Sequence, residues 1–299
     1  MLMEQASNER KRMTQMRRTR KKRRLPRLLL PLIVLAFAGW VVIVRPFAPH
    51  AERNALASDA SRPAGGAPSE TVAAVEKPPA TANVPKPPLA PVKVYYNGLA
   101  KDGKQVALTF DDGPDGVATP KILDILKANH IKATFFIVGK QAKAHPDMVR
   151  RIVKEGHAIG NHSWSHPDFG SLSTQDAKKQ IEDTQDEIEA IAGVRPTLFR
   201  PPYGALNDDK KAAVRDLDMA IVDWSVDTRD WAGTTPPNIL KLVNKELYPG
   251  GIILQHCAGE QEHLSNTIAA LKQLIPALRK QGYAFVTVPK LLHLPDSQS

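Results

Sequence analysis

Cysteine is nearly absent from this 299-residue chain, where Cys257 stands alone. One thiol closes no intrachain disulfide and builds no cysteine-based structural zinc site, so any metal must be held by histidine and carboxylate ligands. Aromatic residues are also few, at 6%. Excess charge is missing from most of the chain: residues 1–27 carry 11 Lys and Arg against Glu4 and Glu9, a net of +9, which leaves +1 for everything that follows. The basic balance therefore describes a tail, not a domain with a basic stripe interleaved with aromatics, and no nucleic-acid partner is expected. There is no internal repeat. Apolar material, by contrast, is in ordinary supply at 42%. That excludes a collagen-like or wholly disordered chain and suffices for one large domain with appendages or two small ones.

The basic tail abuts the longest apolar run, residues 28–44, which holds no charge and one proline, Pro31, and is closed by Arg45. A helix crosses the hydrocarbon with about 17–25 apolar residues, and Trp40 suits an interfacial anchor. Dense Lys and Arg before the run and few after it place the N-terminus in the cytoplasm. The expectation is a single-pass cell-membrane protein with residues 1–27 cytoplasmic, 28–44 as the anchor and the remainder exported. A cleaved signal, and hence a secreted protein, is the competing reading because Ala36-Phe37-Ala38 resembles a cleavage site. The anchor is preferred since the run exceeds the usual apolar region of about 7–15 residues in signal peptides. Ten of the chain's 25 prolines fall between Pro46 and Pro91. Residues 45–93 thus read as an extended linker and 94–299 as the catalytic domain.

From Val94 onward, short β-rich runs alternate with helix-length amphipathic stretches, which argues for a parallel sheet with crossover helices. Seven strands are expected, at 105–110, 134–138, 157–162, 197–200, 219–224, 251–256 and 284–287. Helices are expected to start at Thr119-Pro120 and Thr235-Pro236, where a capping residue precedes a first-turn proline, and a third spans about 174–191 after Ser173. Such an α/β domain closes as a barrel or stays open, and either way its site lies at the C-terminal strand ends. Polar residues cluster there. The first strand runs into Asp111-Asp112-Gly113-Pro114, where one carboxylate can hold a cation while the other accepts a proton. The third runs into His162-Ser163-Trp164-Ser165-His166. Histidines four apart share one face of a helical turn and can reach a single ion. One carboxylate and two histidines leave coordination positions open for water and substrate.

These residues resemble the polysaccharide deacetylases, carbohydrate esterase family 4, which carry the NodB homology domain. The likeness covers about 94–290 and rests on five ordered motifs: residues 109–114, residues 162–166, Arg200-Pro201-Pro202-Tyr203-Gly204, Asp227-Thr228-Arg229-Asp230-Trp231 and Leu254-Gln255-His256. It implies a distorted (β/α) barrel of about seven strands. The implied activity is removal of N-acetyl groups from envelope polysaccharide containing N-acetylglucosamine, peptidoglycan or chitin-like oligomers, by a monomer. The resemblance assigns a divalent metal to Asp112, His162 and His166, with zinc the expected ion and cobalt or nickel the alternatives. Asp111 is implied as general base, held by Arg200, and His256 as general acid, supported by Asp230. The Tyr203 backbone N–H would face the oxyanion, while Trp231 and Leu254 would form the slot for the acetyl methyl group. The departure is local: many members have an apolar residue where Gln255 stands and Asp where Cys257 stands.

Other prominent residues take plainer readings. His130, His145, His157, His263 and His293 are expected at the surface or in loops, Cys257 as a small buried side chain, and Trp164 as a groove residue or space filler. Two other function classes remain open: an O-acetyl esterase or other metal amidase on the same scaffold, and a non-catalytic glycan-binding envelope protein. The anchor is directly testable. The protein should stay in the membrane fraction with its catalytic domain accessible to external protease in wall-stripped cells. A mature N-terminus just beyond Ala38 would overturn it.

Overall fold

The computed structural model describes residues 92–298, so the basic tail, the 28–44 run and nearly all of the 45–93 linker lie outside the described residues. The chain begins with β1 (Val94–Tyr95), β2 (Gln105–Asp111), α1 (Ala118–Ala128) and β3 (Thr134–Ile137). Two short helices, α2 (Gly139–Ala144) and α3 (Pro146–Lys154), lead to β4 (Ala158–Asn161) and the long α4 (Thr174–Ala192). Then come β5 (Arg195–Pro196), β6 (Leu198–Phe199), α5 (Asp208–Arg215), β7 (Ala220–Val222), β8 (Val226–Asp227) and α6 (Pro236–Glu246). The remainder is β9 (Gly251–His256), α7 (Gln261–Lys280), β10 (Ala284–Phe285), α8 (Val288–Leu292) and β11 (Ser297–Gln298).

The main sheet is parallel in the order β1-β7-β6-β4-β3-β2-β9-β8, with β10 also pairing β2. A separate antiparallel ribbon joins β5 and β11. The sheet curls into a distorted barrel, and the first strand spans the seam. Tyr95 pairs with Val222 of β7, while two residues later Asn97 bridges Gly251 of β9, and the Gly98 N–H donates to Gly250 O at 2.8 Å.

Strand periodicity sorts the side chains into two layers. On β2, Val106, Leu108 and Phe110 face the helices in the larger core with Phe135, Ile137 and Ile253, whereas Ala107 belongs to an inner cluster with Phe136, Leu198, Val222 and Ile252. Thr109 and Asp111 continue the Ala107 side. Gly160 is required on β4 because a Cβ there would lie 2.4 Å from the Phe136 ring. The helices seal the outer layer. Ile122, Leu123 and Leu126 of α1 are fully buried, each worth about 1.5–3 kcal/mol. At the start of α4 the Ser173 hydroxyl accepts from the Asp176 N–H at 3.0 Å, a cap worth about 1 kcal/mol.

All seven expected strands are present, the first one residue longer and most of the others one to three residues shorter, and Gly251–His256 matches at both ends. The additional β1, β8, β5 and β11 are two residues each, too short to show a period. Thr235 occupies the N-cap position before Pro236 as expected, but its side chain makes no capping hydrogen bond. Thr119 is not a cap: α1 begins at Ala118, and the Asp115 carboxylate caps it, accepting from the Val117, Ala118 and Thr119 N–H groups at 3.1, 2.7 and 2.8 Å. Among the described residues no helix is long and apolar enough to cross a membrane.

His157 departs from its expected surface position. It is buried at the N-terminal side of β4, and its Nδ1 accepts from the Ala133 N–H at 3.1 Å. Burial, reinforced by the Lys132 charge, pushes its pKa down to about 4 despite Glu155 nearby. The unfolded chain takes up this proton near pH 6.5, whereas the fold resists it until about 4. His157 therefore contributes stability above pH 6.5 that is lost as the pH falls toward 4, at most about 3 kcal/mol. Urea midpoints measured between pH 7 and 4 should fall less steeply in His157→Asn than in the parent. Equal slopes would show that His157 has no part in acid sensitivity.

Candidate active site

Strand register brings the two expected proton-transfer groups together. β2 and β9 pair with Asp111 opposite His256, and both side chains continue the inner-face alternation that runs through Ala107 and Ile252. A one-residue slip would send either group into the helix layer.

Arg200, with no exposed surface, supports the base side. Its Nη1 donates to Asp111 Oδ1 at 2.7 Å and to Thr109 Oγ1 at 2.8 Å, and the Thr109 hydroxyl donates onward to Ile253 O at 2.7 Å. Nε donates to Val222 O at 3.2 Å and Nη2 to Asp223 O at 3.0 Å. The guanidinium carbon lies 3.9 Å from the centre of the Phe136 ring. With four of its five N–H groups bonded, the guanidinium can exist in a buried ion pair; removing one partner of a buried pair costs about 3–5 kcal/mol.

Asp112, His162 and His166 converge beside this pair. The Asp112 Oδ1 lies 3.5 Å from His162 Nε2 and 3.3 Å from His166 Nε2, and one ligand atom from each residue lies within 4.8 Å of the others. Ligands at about 2.0–2.1 Å around a tetrahedral ion are separated by about 3.4 Å, so both carboxylate–imidazole spacings suit one cation. Two further observations support the fit. Asp112 Oδ1 is buried without a hydrogen-bond partner. His162 Nδ1 sits 2.7 Å from Arg200 O, and since a carbonyl only accepts, Nδ1 carries the proton and Nε2 presents its lone pair. The histidines are not on a helical turn, as the spacing suggested. A loop with Ser163 and His166 at φ 68° and 57° presents them. Asn161 holds it, accepting from the Ser163 N–H at 2.8 Å and donating to Ile181 O at 2.8 Å. Thr109, Asn161 and Ser163 are supports that motif reasoning passed over. Asn161 was discoverable as the buried polar residue preceding His162.

The acid side is equally specified. His256 Nδ1 lies 2.7 Å from Asp230 Oδ1, and the His256 backbone N–H donates to Asp230 Oδ2 at 2.9 Å. Burial opposes charge on His256, but the hydrogen bond and charge of Asp230, with Asp111 and Asp112 beyond, push its pKa up to about 9. The expected substrate-facing residues divide by exposure. Tyr203, 62% exposed, stands with its ring edge-on to His166 at 4.7 Å between centres, and Trp231 is 52% exposed on the rim. Leu254 is buried. Cys257 is buried as expected, with its N–H donating to Asp111 O at 3.0 Å, and Gly113 lacks the Cβ that would lie 2.3 Å from its Sγ. Gln255 points into the helix layer with both amide atoms buried and unpartnered. Trp164 is half-buried and lies close over Gly139, where a Cβ would sit 2.3 Å from its ring.

A family profile described as "Polysaccharide deacetylase" matches residues 98–222. The chain is 43% identical over 187 residues to the peptidoglycan-N-acetylglucosamine deacetylase of Bacillus cereus, covering 62% of this chain and 68% of that protein. It is also 43% identical over 188 residues to the peptidoglycan-N-acetylmuramic acid deacetylase PdaC of Bacillus subtilis, covering 63% of this chain but only 38% of PdaC. Among solved structures, the Bc1960 peptidoglycan N-acetylglucosamine deacetylase superposes with a TM-score of 0.66 at 40% identity, covering 69% and 95% of the two chains. BA3943 of Bacillus anthracis, described as a CE4 family pseudoenzyme, superposes at 0.63 with 33% identity, covering 68% and 69%.

The histidine environments set a pH dependence for metal uptake. Burial lowers the proton affinity of His162, but Asp111 and Asp112 together raise it above the ordinary value, while burial and His162 lower that of His166. A cation therefore competes with protons for His162 Nε2. Calorimetry of the metal-free protein in buffers of differing ionisation enthalpy should record proton release and weaker binding at lower pH. Asp112→Asn and His166→Ala should each reduce metal per chain by elemental analysis; undiminished metal in both would remove the site.

Proposed function

Because this chain belongs to the polysaccharide deacetylase family, carbohydrate esterase family 4, we propose that it is a metal-dependent hydrolase that removes N-acetyl groups from cell-envelope glycan containing N-acetylglucosamine, with peptidoglycan the substrate. One observation carries the reading: a buried carboxylate paired to Arg200 and an imidazole paired to Asp230 face each other beside a three-ligand cluster. A binding-only protein has no use for that complete set. The Bacillus relatives named for peptidoglycan deacetylation favour this glycan over chitin-like oligomers.

Asp112, His162 and His166 would hold the cation, with zinc proposed for the mixed imidazole–carboxylate donor set. When bound, it would polarise the acetamide carbonyl and acidify the attacking water. Asp111 would take the proton of that water, aimed by its hydrogen-bonded pair with Arg200. The Tyr203 backbone N–H would stabilise the charge developing on the carbonyl oxygen. Trp231 at the rim and Leu254 beneath would enclose the acetyl methyl group. His256 would give its proton to the amine as the C–N bond breaks, and Asp230 keeps it protonated for that step. We further propose that residues 28–44 anchor the enzyme in the cell membrane, that the 45–93 linker spaces it from the bilayer, and that it acts outside the cytoplasm as a monomer. Support comes from the net +9 tail preceding an uncharged apolar run.

Mass spectrometry of defined N-acetylated oligosaccharides should show a loss of acetyl groups that chelation abolishes and added Zn²⁺ restores. Full turnover in verified metal-free enzyme would sink the mechanism. Asp111→Asn should lose most activity at every pH while keeping its metal. On the alkaline side the rate should fall as His256 deprotonates, at a pH no higher than about 9 because the cation offsets Asp112. Asp230→Asn removes the charge that raises the His256 pKa, so this limb should move to lower pH; an unmoved limb would assign it to another group.

A further inference from the structure

The acid side of the site draws on an element outside all five motifs. We propose that Thr267, on α7, is a positioning residue for the general acid, holding the Asp230 carboxylate in the orientation that presents Oδ1 to His256. The proposal rests on the reading of His256 as proton donor to the leaving amine.

Thr267 is buried, and its Oγ1 lies 2.8 Å from Asp230 Oδ2 and 3.3 Å from His263 O, one turn back in its own helix. A helical threonine ordinarily gives its hydroxyl proton to that preceding carbonyl. One proton cannot serve both acceptors fully, and the nearer, ionised carboxylate is the stronger partner. The local helical bond therefore yields to one made across 37 residues of sequence. With it, Asp230 has four donors: His256 Nδ1 at 2.7 Å and the Trp231 N–H at 2.9 Å on Oδ1, the His256 N–H at 2.9 Å and Thr267 at 2.8 Å on Oδ2. A carboxylate offers about four lone-pair positions, so the group is saturated. The same helix face grips the following turn, where Gly233, at φ 77°, leaves no room for a Cβ, which would sit 2.9 Å from His263 Nε2. Thus α7 holds the 230–233 segment by one hydrogen bond and one close ring contact. Without the hydroxyl, Oδ2 keeps only the His256 N–H, the carboxylate can rotate about its Cβ–Cγ bond, and the imidazole loses its fixed aim.

The test compares Thr267→Val, Thr267→Ala and Thr267→Ser with the parent on an N-acetylated oligosaccharide and on an O-acetyl ester, whose leaving group needs protonation less. Valine and alanine should each lower kcat on the amide about tenfold, the scale of one lost hydrogen bond to a charged group, with KM unchanged and a smaller loss on the ester. Serine should restore the amide rate and the downfield proton resonance of the His256–Asp230 hydrogen bond, which the valine and alanine variants should lack. The proposal is overturned by a parent-like amide rate in both the valine and alanine variants while His256→Ala is impaired. Equal losses on amide and ester, or no rescue by serine, also overturn it, since those mark a merely structural role. If His256→Ala itself turned over the amide like the parent, the reading of the general acid would fall, and the role of Thr267 with it.

Discussion

Arg200 brings a full positive charge to a point in the barrel that solvent does not reach, and the surrounding strands are arranged to make that possible. Four of its five N–H donors are used: on the Asp111 carboxylate and the Thr109 hydroxyl of β2, on Val222 O of β7 and on Asp223 O just beyond it. Its face rests on Phe136 of β3, and its own carbonyl fixes the His162 tautomer. A buried cation with fewer partners would be expelled or would unfold its surroundings. The guanidinium thus ties three strands together, and Arg200 orients both Asp111 and His162. The same buried charge makes the inner face of the barrel specific.

The two halves of the site solve opposite electrostatic problems. Asp111, the proposed base, is a buried carboxylate set 2.7 Å from a permanent cation. His256, the proposed acid, is instead pushed up to about 9 against burial by a carboxylate whose lone pairs are all engaged. Asp230 is held below its ordinary pKa against burial by the hydrogen bond and charge of His256, helped by Thr267. Between the halves lies Asp112, drawn down to about 2 against burial by the neighbouring His162, with His256 and His166 beyond. With one oxygen left unpartnered, it is the group that most needs a cation.

Motif reasoning was strongest where chemistry and local chain direction coincide. Asp111, Asp112, His162, His166, Arg200, Asp230 and His256 stand at strand ends because polar residues interrupt β-rich runs there, and that interruption is visible in one dimension. It was weaker where one side chain serves two masters. Thr119 looks like a helix cap beside Pro120, but its hydroxyl donates to Cys257 O at 3.0 Å and accepts from the Asp115 N–H at 2.8 Å, tying the base loop to the end of β9. His157 looks like an ordinary polar residue before a strand, yet the Ala133 N–H needed an acceptor there. The HxxxH spacing suggested a helical turn, but two left-handed backbone positions and the Asn161 side chain deliver the same convergence from a loop.

By itself the sequence determined the alternation of strands and helices, the placement of polar groups at strand ends and the residue types able to hold a cation and move protons. These follow from period, punctuation and side-chain chemistry, all local along the chain. Only the tertiary structure decided the β2–β9 register that sets Asp111 opposite His256, the closure of the seam by residues 94–98, and the four-donor saturation of Asp230. Each joins segments far apart in the chain, and a hydrogen bond such as that from Thr267 leaves no period or spacing behind. Its geometry exists only once burial has packed α7 against the turn that carries Asp230.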